Sequence, residues 1–242
     1  KPIFLYFCLT EPHVPRKPDT QFRDKSKLGY RGDAILQLDW TVGQNQQQLQ
    51  LLGMDKNTII IFSSDNGPVL DDGYVDGAVA QLNGHQPAGP LRGGKYSIFE
   101  GGTRVPFIVS GQGVAKGKVS NALISQMDLL ATSAQLVGVK LKASEAKDSK
   151  ALLKTLTGED PKGRSTMIQH AQTLAIVKDN WKYIAPSNGT PYMKLTDTET
   201  GNLPEDQLYD LKSDIGEKNN VAGKYPEKVA ELKQLLEGER KK

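Results

Sequence analysis

The sequence predicts an α/β fold: a mostly parallel sheet flanked by helices, then a smaller antiparallel sheet closed by a terminal helix. Three observations predict it. Two apolar, strand-like runs, Ile3–Leu9 and Asn57–Phe62, flank a helical period of roughly twenty residues, the βαβ rhythm of parallel strands. Beyond about Lys140 the rhythm changes to short strands separated by turn residues. Pro226 opens a last helix with Val229, Leu232, Leu235 and Leu236 on one face.

Each element has a local reason. Ile3 to Leu9 is an unbroken apolar, aromatic-rich run, which reads as a buried strand and would make Cys8 an inert buried thiol. Ile35, Leu38, Val42, Leu49 and Leu52 fall near helical spacing over about Tyr30–Leu52, and Gly53 ends the helix. Gln44–Gln50 reads as its solvent face. Ile59–Phe62 is β-branched and aromatic, a second buried strand. A Gly-, Pro- and Asp-rich loop over Ser63–Gly94 is longer than a simple connector, and loops of that length are usually functional or disordered. Arg104–Ser110 reads as a third strand and Gln126–Leu136 as a short helix. The polar, Lys-rich stretch Lys140–Gly163 suggests a boundary, giving units at about 1–145 and 146–242. Thr166–His170, Leu174–Lys178, Trp181–Ala185 and Gln207–Leu211 read as short strands, with Asp179-Asn180 as a turn between two of them.

Composition narrows the function. The 242 residues carry 31 Lys+Arg against 28 Asp+Glu, so the formal charge is only +3, with basic and acidic residues interleaved. That leaves no nucleic-acid footprint. The longest apolar run is far short of the ~20 residues of a membrane span. One cysteine excludes an intrachain disulfide, and no Cys/His cluster has zinc spacing. The chain opens on Lys1-Pro2 with neither Met nor a signal-peptide pattern.

Three constellations could carry chemistry. Ser63-Ser64-Asp65-Asn66-Gly67 follows the Ile59–Phe62 strand directly, and the carboxyl ends of parallel strands are where ligands sit. Asp65 offers a carboxylate and Asn66 an amide oxygen, hard donors suited to Ca²⁺ or Mg²⁺. Asn-Gly alone also marks a hairpin turn, but Pro68–Asp72 does not resume an alternating strand. In Leu91-Arg92-Gly93-Gly94-Lys95 the paired glycines permit close backbone approach to a ligand, and Lys95 is a mobile point charge for an oxyanion, or a solvated lysine beside a flexible loop. Glu100 and Arg104 fit a structural i,i+4 pair. In Glu11-Pro12-His13-Val14-Pro15 the prolines stiffen the backbone presenting His13, which could bind an oxyanion or donate a proton. His85 could touch a substrate or cap a turn, and His170, on an apparent strand, reads as structural.

Taken in order, these motifs resemble the formylglycine-dependent sulfatases of the alkaline-phosphatase-like superfamily. The likeness covers nearly the whole chain: His13-Val14-Pro15, Ser64–Gly67, Leu91–Lys95 with Glu100-Gly101-Gly102-Thr103-Arg104-Val105-Pro106, Trp181–Ile184, and Leu208-Tyr209-Asp210-Leu211 with Asp214 and Asn219-Asn220. The resemblance implies an alkaline-phosphatase-like sheet, Asp65 and Asn66 as ligands of Ca²⁺, Lys95 on the sulfate, and His13 at the sulfate and leaving-oxygen side. His85 and Arg92 are weaker candidates for substrate contact. It further implies a sulfate ester substrate and a periplasmic or secreted setting; by analogy the ester is a carbohydrate sulfate, whose hydroxylated rings the long polar loop Val69–Pro90 could meet.

One departure matters. The family makes its formylglycine nucleophile from a Cys-x-Pro-x-Arg or Cys-x-Ala-x-Arg segment, whereas the only cysteine here begins Cys8-Leu9-Thr10-Glu11-Pro12. The family's paired aspartates near its first strand also lack a counterpart. Both belong upstream of His13, so the resemblance is to the C-terminal part of a sulfatase, with the nucleophile expected from a missing N-terminal part and this chain alone inactive. Two other readings compete: a related metal-dependent phosphoester hydrolase, and a non-catalytic module binding sulfated glycans. Finding the Cys motif upstream of Lys1 would separate the enzyme from the module.

Overall fold

The computed structural model describes residues 1–142 and 144–240. Ala143, inside the stretch read as a boundary, lies outside the described residues. Helix α1 spans Gly29–Leu51. It closes as a Schellman motif: Met54 N–H bonds Leu49 O at 2.8 Å and Gly53 N–H bonds Gln50 O at 3.0 Å. Gly53 stands at φ +66°, the left-handed backbone that this closure needs and that glycine adopts without a Cβ penalty. Only the first turns of α1, at Arg31 to Ala34, are buried; Leu36, Trp40 and Leu51 are exposed.

Strands β1 (Ile59–Ser63) and β2 (Phe107–Gly111) form a two-stranded ribbon, paired antiparallel with Phe62 opposite Ile108. The long loop between them holds one short helix, α2 (Glu100–Thr103). Helices α3 (Asp128–Leu136) and α4 (Leu153–Leu156) follow. The Arg164 guanidinium grips the fully buried Asp128 carboxylate at the start of α3, with Nε 2.7 Å from Oδ2.

The last part is a four-stranded antiparallel sheet. Its strands are β3 (Thr166–Ala171), β4 (Thr173–Lys178), β5 (Trp181–Ile184) and β8 (Gln207–Asp210), in the order β3-β4-β5-β8. Asp179, at φ +55°, turns β4 into β5. A small ribbon of β6 (Tyr192–Met193) and β7 (Thr198–Glu199) projects between β5 and β8. Strand alternation sends neighbouring residues to opposite faces. Ala175, Ile184 and Tyr209 pack on Ile98 and Phe99, just ahead of α2. Ile176, Tyr183 and Leu208 pack on Leu232 and Leu236 of α5 (Pro226–Arg240). Burial of each such leucine stabilises by about 1.5–3 kcal/mol. Leu235, expected on the same face, is 36% exposed, because Leu232 and Leu236 already fill the i,i+4 stripe.

Three expectations are corrected. Ile3–Leu9 forms no strand: Ile3, Phe4, Leu5 and Tyr6 are 74–81% exposed, since no described strand lies alongside to take up their backbone hydrogen bonds. Without that strand the βαβ unit is not completed, and Ile59–Ser63 pairs instead with an antiparallel neighbour, leaving it half-buried. Cys8 is exposed rather than buried.

Candidate active site

The motifs read separately along the chain meet through their backbones. Gly67 N–H bonds Gly102 O at 3.0 Å, and a Cβ on Gly67 would lie 1.8 Å from Gly101 O. Gly101 N–H bonds Arg92 O at 2.8 Å, and Lys95 N–H bonds Pro68 O at 3.0 Å. The paired glycines therefore serve backbone-on-backbone packing. They lock the Asp65-Asn66 bend at the end of β1 against the loop that carries Lys95.

Lys95 and His13 come together. Lys95 Nζ lies 3.3 Å from His13 Nε2, although 82 residues separate them. His13 Nδ1 lies 2.6 Å from Val14 O, a contact that only a ring N–H can make favourably, so Nδ1 carries the proton and Nε2 accepts from the ammonium. Lys95 also donates to Asp72 Oδ2 at 2.7 Å. This hydrogen bond, strengthened by the charge of Asp72, raises the Lys95 pKa above its ordinary value and lowers that of Asp72.

Arg16 anchors the elements that present these groups. It is 5% exposed; its Nη1 is 2.9 Å from Asp76 Oδ2, and its other donors reach Pro12 O, Val69 O and Leu70 O. One guanidinium thus ties the His13 segment to the loop bearing Asp72. Beside His13 is a small cavity of about 150 Å³, bordered by Thr10, Glu11, Arg16 and Lys17.

The remaining sequence candidates lie elsewhere. Arg92 pairs with Glu199 at 2.7 and 2.9 Å, donates to Glu217 O and stacks 4.1 Å over Phe99, so its fork is committed to holding β7 and the segment before α5. His85 is exposed in a turn whose N–H bonds Leu82 O. His170 is exposed on β3. Glu100 and Arg104 do pair, at 3.7 Å. Asp72, Tyr96 and Arg16 escaped the sequence reading. The only signal was the length of the loop Ser63–Gly94, because no spacing rule connects residue 72 to residue 95.

Asp65 is exposed, and Asn66 Nδ2 donates to Gly67 O at 2.8 Å, which leaves Asn66 Oδ1 available. A carboxylate and an amide oxygen side by side suit a hard cation in kind, but they are two of the six to eight oxygens that Ca²⁺ takes. Among the described residues no group of three or more His, Cys, Asp or Glu is gathered for a metal. No helix among them is long and apolar enough to cross a membrane.

Known proteins resemble this chain over most of its length. The sulfatase family model matches residues 1–139. The chain is 50% identical over 239 residues to an N-acetylgalactosamine-6-O-sulfatase of Bacteroides thetaiotaomicron, covering 98% of this chain and 47% of that protein. It is 36% identical over 177 residues to the N-acetylgalactosamine-6-sulfatase of Mus musculus, covering 73% of this chain and 32% of the relative. A solved Bacteroides thetaiotaomicron structure, from work on the metabolism of multiple glycosaminoglycans, superposes with a TM-score of 0.94 at 49% identity, over 97% of this chain and 49% of that one. The chain thus spans about half the length, or less, of the relatives it matches. The family model over more than half of the chain, together with the 50% identical relative, shows that the chain belongs to the sulfatase family.

Proposed function

We propose that this chain supplies part of the active site of a sulfuric ester hydrolase acting on a sulfated carbohydrate. The observation that carries the reading is the Lys95–His13 contact, which sets an ammonium and an imidazole edge side by side at 3.3 Å. The names of the relatives reported above support a 6-O-sulfated N-acetylgalactosamine residue as that carbohydrate. Lys95 holds a sulfate oxygen. A proton taken up at His13 Nε2 turns that edge into a donor toward the ester oxygen that leaves, while Val14 O keeps the ring oriented through Nδ1. Asp65 and Asn66 would hold Ca²⁺, which supplies fixed positive charge against the sulfate oxygens.

The nucleophile is not assigned to these residues, because Cys8 lies outside the Cys-x-Pro/Ala-x-Arg pattern. We assign it to a formylglycine in an N-terminal part of the same polypeptide, and place the enzyme in the periplasm or outside the cell. The units at 1–145 and 146–242 are, in this reading, the end of the catalytic core and a small α+β subdomain.

The test compares 4-nitrophenyl sulfate and 6-sulfated N-acetylgalactosamine as substrates for the 242-residue chain and for the same chain preceded by a segment with the Cys motif. Turnover is expected only from the longer protein, lost with Asp65→Ala and strongly reduced with Lys95→Ala. Robust, Cys8-dependent turnover by the 242-residue chain would overturn the assignment of the nucleophile.

A further inference from the structure

The ammonium of Lys95 has a partner for which the proposed reaction has no use. A lysine ammonium has three N–H donors on a flexible stem, so by itself it points nowhere in particular. Here one donor goes to Asp72 Oδ2 at 2.7 Å and one to His13 Nε2 at 3.3 Å. With two donors committed, the direction of the third is set.

Asp72 is itself held. Its side chain is only 8% exposed, and the Tyr96 hydroxyl stands 3.2 Å from Oδ1 and 3.3 Å from Oδ2. Tyr96 sits at φ +76°, a strained backbone region for a non-glycine residue that persists where the surroundings enforce it. In that conformation its ring lies 5.3 Å from the Lys95 ammonium and its hydroxyl meets Asp72. The loop bearing Asp72 is pinned on either side by Arg16, through Val69 O and Leu70 O before it and Asp76 after it.

We propose that Asp72, braced by the Tyr96 hydroxyl, is the positioning residue of Lys95: it aims the ammonium so that its third N–H, held beside His13, is presented to a sulfate oxygen. This rests on the sulfatase reading above. Asp72 acts through Lys95 and does not touch the substrate, since a nearly buried carboxylate facing a sulfate would repel it. The opposed pKa directions of Asp72 and Lys95, each caused first by the hydrogen bond between them, accord with a persistent pair.

The experiment uses the 242-residue chain with ¹³C-methylated lysines and ¹⁵N-labelled histidines, Lys95 being assigned by Lys95→Arg. The titration midpoint of Lys95 and the ¹⁵N shift of His13 Nε2 are followed in wild type, Asp72→Asn, Asp72→Glu and Tyr96→Phe, before and after addition of inorganic sulfate. In Asp72→Asn the Lys95 midpoint should fall and the hydrogen-bond signature at His13 Nε2 should be lost; Asp72→Glu should restore both in part, and the exposed Tyr96→Phe should show a smaller version of the same change. In wild type, sulfate should move Lys95 and His13 along one saturation curve; in Asp72→Asn the two should part. An unchanged Lys95 midpoint and His13 shift in Asp72→Asn, or a still joint response to sulfate, would overturn the positioning role. If wild-type Lys95 and His13 both ignore sulfate while the Asp72→Asn changes remain, the sulfate reading fails and the Asp72–Lys95 positioning stands.

Discussion

Lys182 Nζ lies 2.9 Å from Glu100 Oε1, with the two side chains 0% and 6% exposed. The same ammonium is 3.2 Å from Glu217 Oε1 and donates to Ile98 O at 2.7 Å. Glu217 in turn accepts the Glu100 N–H at 2.6 Å. Residues from three separate motifs thus close one buried ion cluster, which ties the antiparallel sheet to α2 and through Gly101-Gly102 to the Asp65-Asn66 bend. Removing the cation leaves the buried Glu217 carboxylate without a counter-charge and Glu100 with only the half-exposed Arg104, 3.7 Å away. Lys182→Met should therefore destabilise the chain by about 3–5 kcal/mol, read from the urea midpoint. A loss below 1 kcal/mol would show that the cluster is hydrated rather than buried.

The two carboxylates should respond to pH in opposite senses. Burial pushes Glu217 above its ordinary value of 4.5, and the Lys182 ammonium offsets this only in part. Burial also pushes Glu100 up, but Lys182 outweighs it and the net direction is down. Glu217 binds its proton more tightly folded than unfolded, so its contribution is full below 4.5 and declines as pH rises through its folded value. Glu100 contributes above 4.5 and loses that share as pH falls. Glu217→Gln should accordingly gain on wild type as pH rises from 4.5 toward neutrality, in thermal unfolding followed by circular dichroism. A difference that stays constant over that range would contradict the raised Glu217.

Gly67→Ala places a Cβ 1.8 Å from the Gly101 carbonyl oxygen, a backbone atom with nowhere to go. Overpacking of this kind costs about 1–3 kcal/mol. The Asp65-Asn66 bend should shift with it, visible as changed amide shifts at Asp65 and Asn66. Gly53→Ala, with open space around it but φ +66°, should cost less and leave those amides unmoved.

Arg16→Ala should destabilise by about 3–5 kcal/mol, since it strands the Asp76 carboxylate, 11% exposed, and frees three carbonyls. It should also separate His13 from Lys95, seen as loss of the nuclear Overhauser contact between them. Arg16→Lys restores charge but not the fork, and should rescue less than half of the loss.

Ca²⁺ should bind the 242-residue chain with a Kd weaker than about 1 mM, the weak limit for calcium modules with fuller ligand sets. Asp65→Ala should abolish the response of the Asn66 amide to Ca²⁺. Binding of the 242-residue chain in the micromolar range, unaltered by Asp65→Ala, would place the cation elsewhere.

The motifs of the candidate site were legible in the sequence, and the structure brings two of their residues, His13 and Lys95, together. His13, Lys95, Asp65 and Asn66 stand in short motifs whose glycines and prolines report unusual backbone needs, and such needs are local. The short strands, the terminal helix and the Glu100–Arg104 pair were legible for the same reason: alternation, an i,i+4 stripe and a turn residue are properties of neighbours along the chain. Ile3–Leu9 shows the limit. Its strand character is local, but a strand exists only where another lies beside it, and only the tertiary structure decides that. The same holds for the antiparallel pairing of β1, for the commitment of Arg92 to Glu199, and for Asp72. Hydrogen bonds and ion pairs between residues 23, 82 or 107 positions apart depend on how the chain is brought back on itself, and no period in the sequence records that distance.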